Sequence, residues 1–403
     1  MTVIFDPTDP SFFNDRYRRY ALLRDNAPIA RLGSVSETAH VVTRYSDVES
    51  LLRDPDMLVK PFPDTIPDYV GTGAASRFYR HTLPRVDPPD HTRVRRLTRA
   101  AFNINTFKKM RQQVEEVIVR GIEALPQSGE ADFIESFASR VPGEIACRLV
   151  HIDPADGAPF LEKASHLLAI LNQGLVDDSV RERADRAGEF YFSYFNTMVD
   201  NLKGKLPNDD VVGALIDSER AEGLSRDELL VAVLNLLLAS YHTTVIALSN
   251  AMVHLLRNRE EVQRLKADPS LAISAWDELL RFDAPVHFVP RYARADTEVR
   301  GLPILAGQRL LLCLASANHD ERKFERPADL DIGRKSNPHF SFATGPHLCI
   351  GAQLSRMEGD IFLRNIFKYY PDISLTSDRL TKTHDVSFPH FTRVPVHLGK
   401  RAV

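Results

Sequence analysis

Cys349 has the surroundings that most clearly indicate chemistry. It lies in the segment Phe342-Ala-Thr-Gly345-Pro-His347-Leu-Cys349-Ile-Gly351, directly before a helical pattern. A cysteine ahead of a helix N-terminus faces backbone N–H groups and the positive end of the helix dipole, and both lower the pKa of its thiol. Gly345 permits a tight turn, and Gly351 permits close approach of a flat group. Two interpretations remain open: an activated or metal-ligating thiolate, or a buried free cysteine beside a turn.

The other cysteines indicate no second thiol site. Cys147 and Cys313 lie far from each other and from Cys349, so the chain has neither a Cys-x-x-Cys pair nor a zinc-type cluster. An odd number of cysteines without an apolar leader segment is typical of a reducing compartment. We therefore expect a cytoplasmic protein.

Two pairs of polar residues have the spacing of one helical turn. Glu278 and Arg281 can form a charge-assisted ion pair, and the alternative is a surface pair worth less than about 1 kcal/mol. His91 and Arg95 project from one helical face. Further arginines lie nearby: Arg93, Arg96 and Arg99. From the residues alone, this face is equally consistent with a solvated basic surface.

The pattern Phe-x-x-Gly-x-x-x-Cys-x-Gly resembles the haem-binding loop of the cytochrome P450 family, in which the cysteine thiolate is the axial ligand of the iron. Three further segments resemble family elements and stand in the same order along the chain. They are Asp87–Arg95, Glu278-Leu-Leu-Arg281 with the following Ala284-Pro-Val286, and Ala317–Asp331. Four ordered segments are much more specific than any one of them, and together they cover most of the chain.

This resemblance implies one mainly α domain with small β-sheets over residues 1–403, which binds haem b (iron protoporphyrin IX). Cys349 would be the ligand of the iron, and Glu278 with Arg281 would be a buried pair that braces the cysteine loop. Because a thiolate ligand favours O–O cleavage, the resemblance implies a monooxygenase that oxidises a small organic molecule. The residues that it assigns to the haem are His91, Arg95, Arg291 and His347 at the propionates, and Phe342, Gly345 and Gly351 in the loop.

The chain departs from the family on the central helix, where members usually carry Ala-Gly-x-Glu/Asp-Thr. Here the segment is Ala239-Ser240-Tyr241-His242-Thr243. Ser240 replaces the glycine, His242 replaces the acid and Thr243 is retained; these are the predicted catalytic residues. An imidazole, with an ordinary pKa of about 6.5, is able to relay protons in ordinary monooxygenation.

Two alternatives to ordinary monooxygenation remain. The replacement of the acid by His242 is also consistent with radical coupling, desaturation or peroxide-driven oxidation, which do not need the usual proton route. The other alternative is a catalytically inactive haem-binding scaffold. Retention of Thr243 and of the whole cysteine loop argues against the scaffold.

By family position, aromatic and apolar residues form the substrate wall, which favours an apolar or aromatic ligand. The predicted wall residues are Leu236, Ala239, Val286, His287, Phe288 and Phe388. Aromatic residues in the same segments are Phe62, Tyr69, Phe78, Tyr79 and Phe391.

The chain has no nicotinamide or flavin fingerprint such as G-x-G-x-x-G after a strand, so we expect an external ferredoxin and ferredoxin reductase. The candidate docking residues are Arg93, Arg96, Arg99 and Arg356. A net charge of −3 argues against nucleic acid as a partner. The apolar run Leu229–Ala239 is shorter than the roughly 20 residues that cross a bilayer, so we expect no membrane span.

Helical periodicity must supply the scaffold for these residues. Ser225 and Glu228 form a predicted capping box, which starts a helix that continues to Leu256. Another helix is predicted to end near Phe282, ahead of Pro285. Further predicted helices include Phe102–Leu125, Glu144–Leu149, Ala184–Leu202 and Glu260–Leu265, and predicted strands are Ala39–Thr43, Thr297–Val299, Arg309–Leu314 and Val394–His397.

Overall fold

The computed structural model describes residues 4–6, 9, 12–13, 15–33, 39–61, 66–101, 104–171, 176–207, 209–221 and 223–402. By its internal contacts the chain divides into two compact units. Unit 1 comprises Met1–Leu58, Ile118–Arg140 and Thr243–Val403, and unit 2 comprises Val59–Val117 and Val141–His242. Organisation of residues 1–403 as one domain stays a prediction.

Helices dominate the described chain, as predicted from the sequence. In chain order they are α1 Arg16–Asn26, α2 Tyr45–Arg53, α3 Ala74–His81, α4 Asp90–Ala101, α5 Ile104–Glu123, α6 Arg140–Leu149, α7 Ala158–Leu168, α8 Asp178–Leu202, α9 Val211–Arg220, α10 Arg226–Arg257, α11 Arg259–Ala267, α12 Ala272–Phe282, α13 Leu314–Ala317 and α14 Ala352–Tyr369.

The described strands are short and belong to unit 1. They are β1 Ile4–Phe5, β2 Ile29–Leu32, β3 Ala39–Val42, β4 Met57–Leu58, β5 Glu130–Asp132, β6 Phe288–Ala293, β7 Thr297–Val299, β8 Leu302–Ile304, β9 Arg309–Cys313, β10 Ser374–Leu375 and β11 Pro395–His397. The largest sheet has the order β1-β2-β3-β9-β6-β4, and two smaller sheets have the orders β10-β11-β5 and β7-β8. The predicted class, mainly α with small β-sheets, is confirmed.

Unit 2 packs its helices around a continuous apolar cluster. Phe78 of α3, Phe160 of α7, Tyr191 of α8 and Leu237 of α10 are all buried in it. Burial of such large side chains is the main favourable term for this helical assembly. The segment Leu83–Arg85, between α3 and α4, is a single 3-10 turn.

The start of α10 has the capping box that the sequence predicts. The backbone N–H of Ser225 donates to Glu228 Oε2 at 2.8 Å, and the Glu228 N–H donates to Ser225 Oγ at 3.3 Å. Two N–H groups that a helix end leaves without intrahelical partners are thereby satisfied. The helix consequently begins at Arg226 and runs without interruption to Arg257.

The helix α10 begins in unit 2 and ends in unit 1. By length and composition alone it is capable of crossing a membrane, because its apolar character continues beyond the run Leu229–Ala239. Within its most apolar window, 56% of the residues are buried inside the structure. That burial is typical of the core helix of a globular protein.

In unit 1, β6 pairs with β9 in antiparallel register, with Phe288 opposite Cys313. Side chains of alternate strand residues point to opposite faces of a sheet, so this register decides which residues of β6 enter the core. Phe288, Tyr20 of α1 and Val41 of β3 belong to one buried apolar cluster. Phe288 is therefore buried against α1 and the sheet.

Candidate functional site

The cysteine loop connects a tight turn to the N-terminus of α14. The residues Gly345–His347 form a 3-10 turn, and the N–H of Cys349 donates to the carbonyl oxygen of Phe342 at 2.9 Å. Gly345 has a φ of +70°, and a Cβ at this position would lie 2.6 Å from the carbonyl oxygen of Leu52. The loop therefore requires glycine there. Cys349 lies two residues before Gly351, the N-cap of α14.

The three cysteines differ in exposure. Cys147 and Cys313 are buried, and burial raises the pKa of their thiols to about 11 and about 12, respectively. Cys349 is exposed. A buried, neutral thiol is a poor ligand, because the thiolate is the form that binds metals. Cys349 is therefore the thiol with the surroundings of a ligand.

The donor set around Cys349 fits haem better than a metal ion held by protein ligands alone. Among the described residues, no group of three or more His, Cys, Asp or Glu side chains is placed to hold a metal ion. A zinc-type site needs such a group. A single thiol fits an iron whose equatorial ligands come from a porphyrin.

The four residues predicted to contact the propionates are divided between the units. In unit 1, Arg291 is buried on β6 and donates from Nη1 to the Pro290 carbonyl at 2.9 Å, while His347 is half-buried in the cysteine loop. In unit 2, His91 is buried on α4, and Arg95 is half-buried one turn further on. The burial of His91 is not that of a solvated basic surface. Convergence of all four residues stays a prediction.

Glu278 and Arg281 form a fully buried, bidentate ion pair. Arg281 donates from Nε and Nη2 to the two carboxylate oxygens of Glu278 at 2.7 and 2.8 Å, and both side chains are 0% exposed. Arg334 donates to the same carboxylate at 3.0 Å. Arg281 Nη1 donates to the carbonyls of Asn318 and Pro327, each at 2.9 Å. The pair thus joins α12 to the segment that leads into the cysteine loop, which a surface ion pair would not do.

A close crossing fastens α12 to α14, the helix that follows Cys349. A Cβ on Gly359 would lie 2.0 Å from Trp276 Cδ2, so the helices approach to a distance that only glycine permits. Trp276 Nε1 donates to Ser355 Oγ at 3.2 Å, and Arg356 Nε donates to Asp277 at 2.8 Å. The helix with the buried ion pair therefore also supports the helix that begins beside Cys349.

The predicted catalytic residues are consecutive or nearly so on α10. Ser240 is half-buried and donates to the Leu236 carbonyl at 2.5 Å, a bond within the helix that occupies its hydroxyl hydrogen. His242 and Thr243 are half-buried. Ala239, a predicted wall residue, is exposed.

The buried carboxyl group of Glu358 on α14 was missed by the sequence analysis. Burial raises the pKa of Glu358 to about 8, and the hydrogen bond that Thr244 Oγ1 donates to Glu358 Oε2 at 3.4 Å opposes that shift. The signal was present in the helical spacing. Glu358 follows Leu354 and precedes Phe362 by four residues each, and both of these are buried, so the glutamate occupies the apolar stripe of its helix.

Two of the predicted wall residues are buried in unit 1, and their assignment to the substrate wall stays a prediction. His287 is buried, and its Nδ1 lies 2.9 Å from the hydroxyl of Tyr20. Burial lowers the pKa of His287 to about 4, which keeps the ring neutral although Asp283 opposes the shift. Phe288 is buried against Phe5 and Tyr20 in the core of unit 1. Both side chains pack inside the fold.

The other wall residues have mixed environments. Val286 and Phe388 are half-buried, whereas Leu236 is buried in the apolar cluster of unit 2. Phe78 and Tyr79 belong to the same cluster. Phe62 lies outside the described residues.

Two of the four predicted docking arginines are already paired with carboxylates. Arg93 donates to Glu228 at 2.5 and 3.1 Å and to Asp90 at 3.0 Å. Arg356 binds Asp277, and its guanidinium lies 4.8 Å from the centre of the Phe342 ring. These bonds orient both side chains within the fold. Arg96 and Arg99 are exposed, as a docking cation must be.

Known proteins are similar to this chain in sequence and in fold. The sequence model of the family described as Cytochrome P450 matches residues 14–388. The chain is 30% identical to 6-deoxyerythronolide B hydroxylase of Saccharopolyspora erythraea over 389 residues, which covers 94% of each protein. The chain therefore belongs to the cytochrome P450 family. It is a haem-iron oxidoreductase of the monooxygenase class.

Two solved structures extend the comparison to the fold. The cytochrome P450 CxnD, described as forming a C–S bond in chuangxinmycin biosynthesis, is 27% identical with a TM-score of 0.89, covering 100% of this chain and 98% of that chain. The myxobacterial cytochrome P450 CYP267B1 in complex with myristic acid is 29% identical with a TM-score of 0.88, covering 98% of each chain.

Proposed function

We propose that Cys349 is the thiolate ligand of haem b in an enzyme that oxidises a small, largely apolar organic molecule. The observation that carries this proposal is the exposure of Cys349 in a glycine-dependent loop beside the start of α14, while Cys147 and Cys313 are buried. Haem, when bound, supplies the oxygen-activating chemistry. The cysteine loop residues Phe342 and Gly351 would lie against the porphyrin.

Basic side chains would hold the haem carboxylates. Arg291 and His347 belong to unit 1, as Cys349 does, and a guanidinium is well suited to bind a carboxylate. His91 and Arg95 are assigned to the propionates on the family resemblance alone. Replacing these four groups would weaken retention of haem without removing its iron ligand.

The proton route would run through α10. The Thr243 hydroxyl and the His242 imidazole would relay protons to the reaction site, with His242 in the place of the usual acid. Ser240 would contribute through its place on α10 and not by passing a proton, because its hydroxyl donates its hydrogen to a backbone carbonyl of its own helix. The retained threonine supports this arrangement.

The class of enzyme supports proposals for the substrate and the partners. The likeness to 6-deoxyerythronolide B hydroxylase supports a secondary metabolite as substrate, and the likeness to the complex with myristic acid supports fatty acids as candidates. The proposed wall comprises Leu236, Ala239, Val286, His287, Phe288 and Phe388. Electrons would come from an external ferredoxin and its reductase in the cytoplasm.

A second candidate function is oxidation that forms a bond without adding oxygen. Two observations favour it: His242 stands where the family usually has an acid, and the chain is similar to an enzyme described as forming a C–S bond. In that case the proton route through His242 would be dispensable.

The test of the haem ligand is a spectrum. Reduced protein with carbon monoxide should show the strongly red-shifted Soret band of thiolate ligation, and Cys349→Ala should lose it because no other exposed cysteine is present among the described residues. The matched controls are Cys147→Ala and Cys313→Ala, which should keep the band. Loss of the band in a control, with its retention in Cys349→Ala, would assign the ligand elsewhere.

A further inference from the structure

A buried guanidinium and a buried phenol in unit 2 have donor atoms that the fold leaves unused. Arg85, at the end of the turn after α3, is 6% exposed, and Tyr79 of α3 is 3% exposed. Among the residues that the structure describes, neither Arg85 Nη1 nor Tyr79 Oη has a hydrogen-bond partner. The guanidinium carbon lies 5.4 Å from the centre of the Tyr79 ring, so the two side chains are neighbours.

The rest of the Arg85 environment does not neutralise its charge. Its other terminal nitrogen, Nη2, donates to the carbonyl oxygen of Leu171 at 3.1 Å, and that acceptor is uncharged. Asp87, the carboxylate nearest in sequence, accepts hydrogen bonds from the N–H groups of Val59 and Lys60 at 2.9 and 3.3 Å. Within the described ranges no carboxylate forms an ion pair with Arg85.

Apolar side chains surround this pair. Tyr79 is part of the buried cluster of unit 2, which Leu83 and Leu171 also contact. A buried cation with no counter-ion is costly, because desolvation of the charge is not repaid. A bound anion that supplies the missing partner would therefore stabilise the folded protein.

One hydrogen bond connects this segment to the proposed substrate wall. Thr82, between Tyr79 and Arg85, donates from Oγ1 to Asn235 Oδ1 of α10 at 2.8 Å. Asn235 precedes Ala239 by one helical turn and stands next to Leu236 in the sequence. The unused donors therefore belong to a segment held against the part of α10 that carries two wall residues.

We propose that Arg85 and Tyr79 bind the carboxylate of the substrate, which would make the substrate an otherwise apolar carboxylic acid. Arg85 Nη1 and Tyr79 Oη each donate a hydrogen bond to the carboxylate, and the guanidinium charge balances it. The apolar cluster contacts the body of the molecule. This inference rests on the proposed function, since it assigns the charged end of that enzyme's substrate.

The test compares acids with their methyl esters, which keep the shape and lose the charge. Decanoic acid and 4-phenylbutanoic acid, each with its methyl ester, are titrated into the haem-containing enzyme by calorimetry. The wild type should bind at least one acid more tightly than its ester. Arg85→Gln should weaken acid binding by about tenfold or more, because a hydrogen bond to a charged group is lost, and should leave ester binding nearly unchanged. Tyr79→Phe should weaken acid binding by about threefold.

The matched control is Arg80→Gln, which removes an exposed arginine close by in the sequence and should leave both affinities unchanged. If Arg85→Gln does not fold, Arg85→Lys and Tyr79→Phe decide: the lysine should retain most of the preference for the acid. An acid that binds the wild type no better than its ester overturns the proposal, as does equal weakening of acid and ester in Arg85→Gln or Tyr79→Phe.

The carbon monoxide spectrum separates this proposal from the proposed function. A preference for the acid, dependent on Arg85, in a protein without the thiolate band would retain the carboxylate site and refute the role of Cys349. The thiolate band in a protein that does not distinguish acid from ester would do the opposite.

Discussion

At the scale of single residues, Glu358 gives a pH dependence with a definite sign. Burial raises its pKa to about 8 from an ordinary 4.5, so the folded protein binds this proton more tightly than the unfolded chain. The contribution of this group to the free energy of unfolding is fully present below about pH 4.5. It decreases as the pH rises to about 8, by up to about 1.4 kcal/mol per pH unit.

Glu358→Gln should abolish that part of the decline. We expect the variant to gain stability relative to the wild type as the pH rises from 5 to 8, measured by urea unfolding of the haem-containing protein at several pH values. Glu115→Gln, which changes an exposed glutamate, is the control and should follow the wild type. Parallel curves for the wild type and Glu358→Gln would contradict the raised pKa.

His242 gives the second prediction at this scale. If it relays protons, His242→Ala should raise the share of electrons lost as hydrogen peroxide in a ferredoxin-dependent assay, and Thr243→Ala should do the same. His242→Glu restores the usual acid and should keep turnover coupled. The substrate is a compound that shifts the ferric haem from low to high spin. If His242→Ala couples electrons to product as efficiently as the wild type, His242 is not a proton relay. A product without added oxygen would then favour the alternative of oxidation that forms a bond.

At the scale of elements, the ion pair on α12 binds the segment that leads into the cysteine loop through residues distant in sequence. Glu278→Ala should cost about 3–5 kcal/mol, because it leaves Arg281 buried without its counter-charge. Glu182→Ala, which breaks an exposed pair with Arg186, should cost less than about 1 kcal/mol. The measurement is the yield of soluble, haem-loaded protein and its unfolding midpoint. A soluble Glu278→Ala variant of wild-type stability would make the pair peripheral.

Local patterns located elements well and side-chain environments poorly. The capping box placed the start of α10, and the proline after Phe282 correctly indicated the end of α12. The contact of His287 was not predicted because its partner, the hydroxyl of Tyr20, is 267 residues away in the sequence. No spacing rule conveys a contact at that separation. The burial of Glu358 was predictable in principle, since a carboxylate in an apolar stripe is visible in the sequence.

At the scale of the whole molecule, the order of motifs carried more information than composition. Four segments in the right order predicted the family, which the match over residues 14–388 bears out. Composition and net charge only excluded classes of partner. The docking surface shows the limit of charge patterns: Arg93 and Arg356 count as cations in the sequence, yet both are paired with carboxylates in the fold.

The chain as a whole should depend on other proteins for electrons. It has no nicotinamide or flavin fingerprint, so the purified enzyme with NADPH alone should leave its haem oxidised, whereas added ferredoxin and ferredoxin reductase should reduce it. Reduction is followed under carbon monoxide by the growth of the red-shifted band.

Because the exposed Arg96 and Arg99 remain as candidate docking cations, Arg96→Glu with Arg99→Glu should slow this reduction most at low salt, where electrostatic steering is strongest. Arg80→Glu with Arg18→Glu is the control with the same change of charge at other exposed arginines. Equal slowing in both variants would reflect net charge and not a docking site, and rapid reduction by NADPH alone would show that the chain gathers its own electrons.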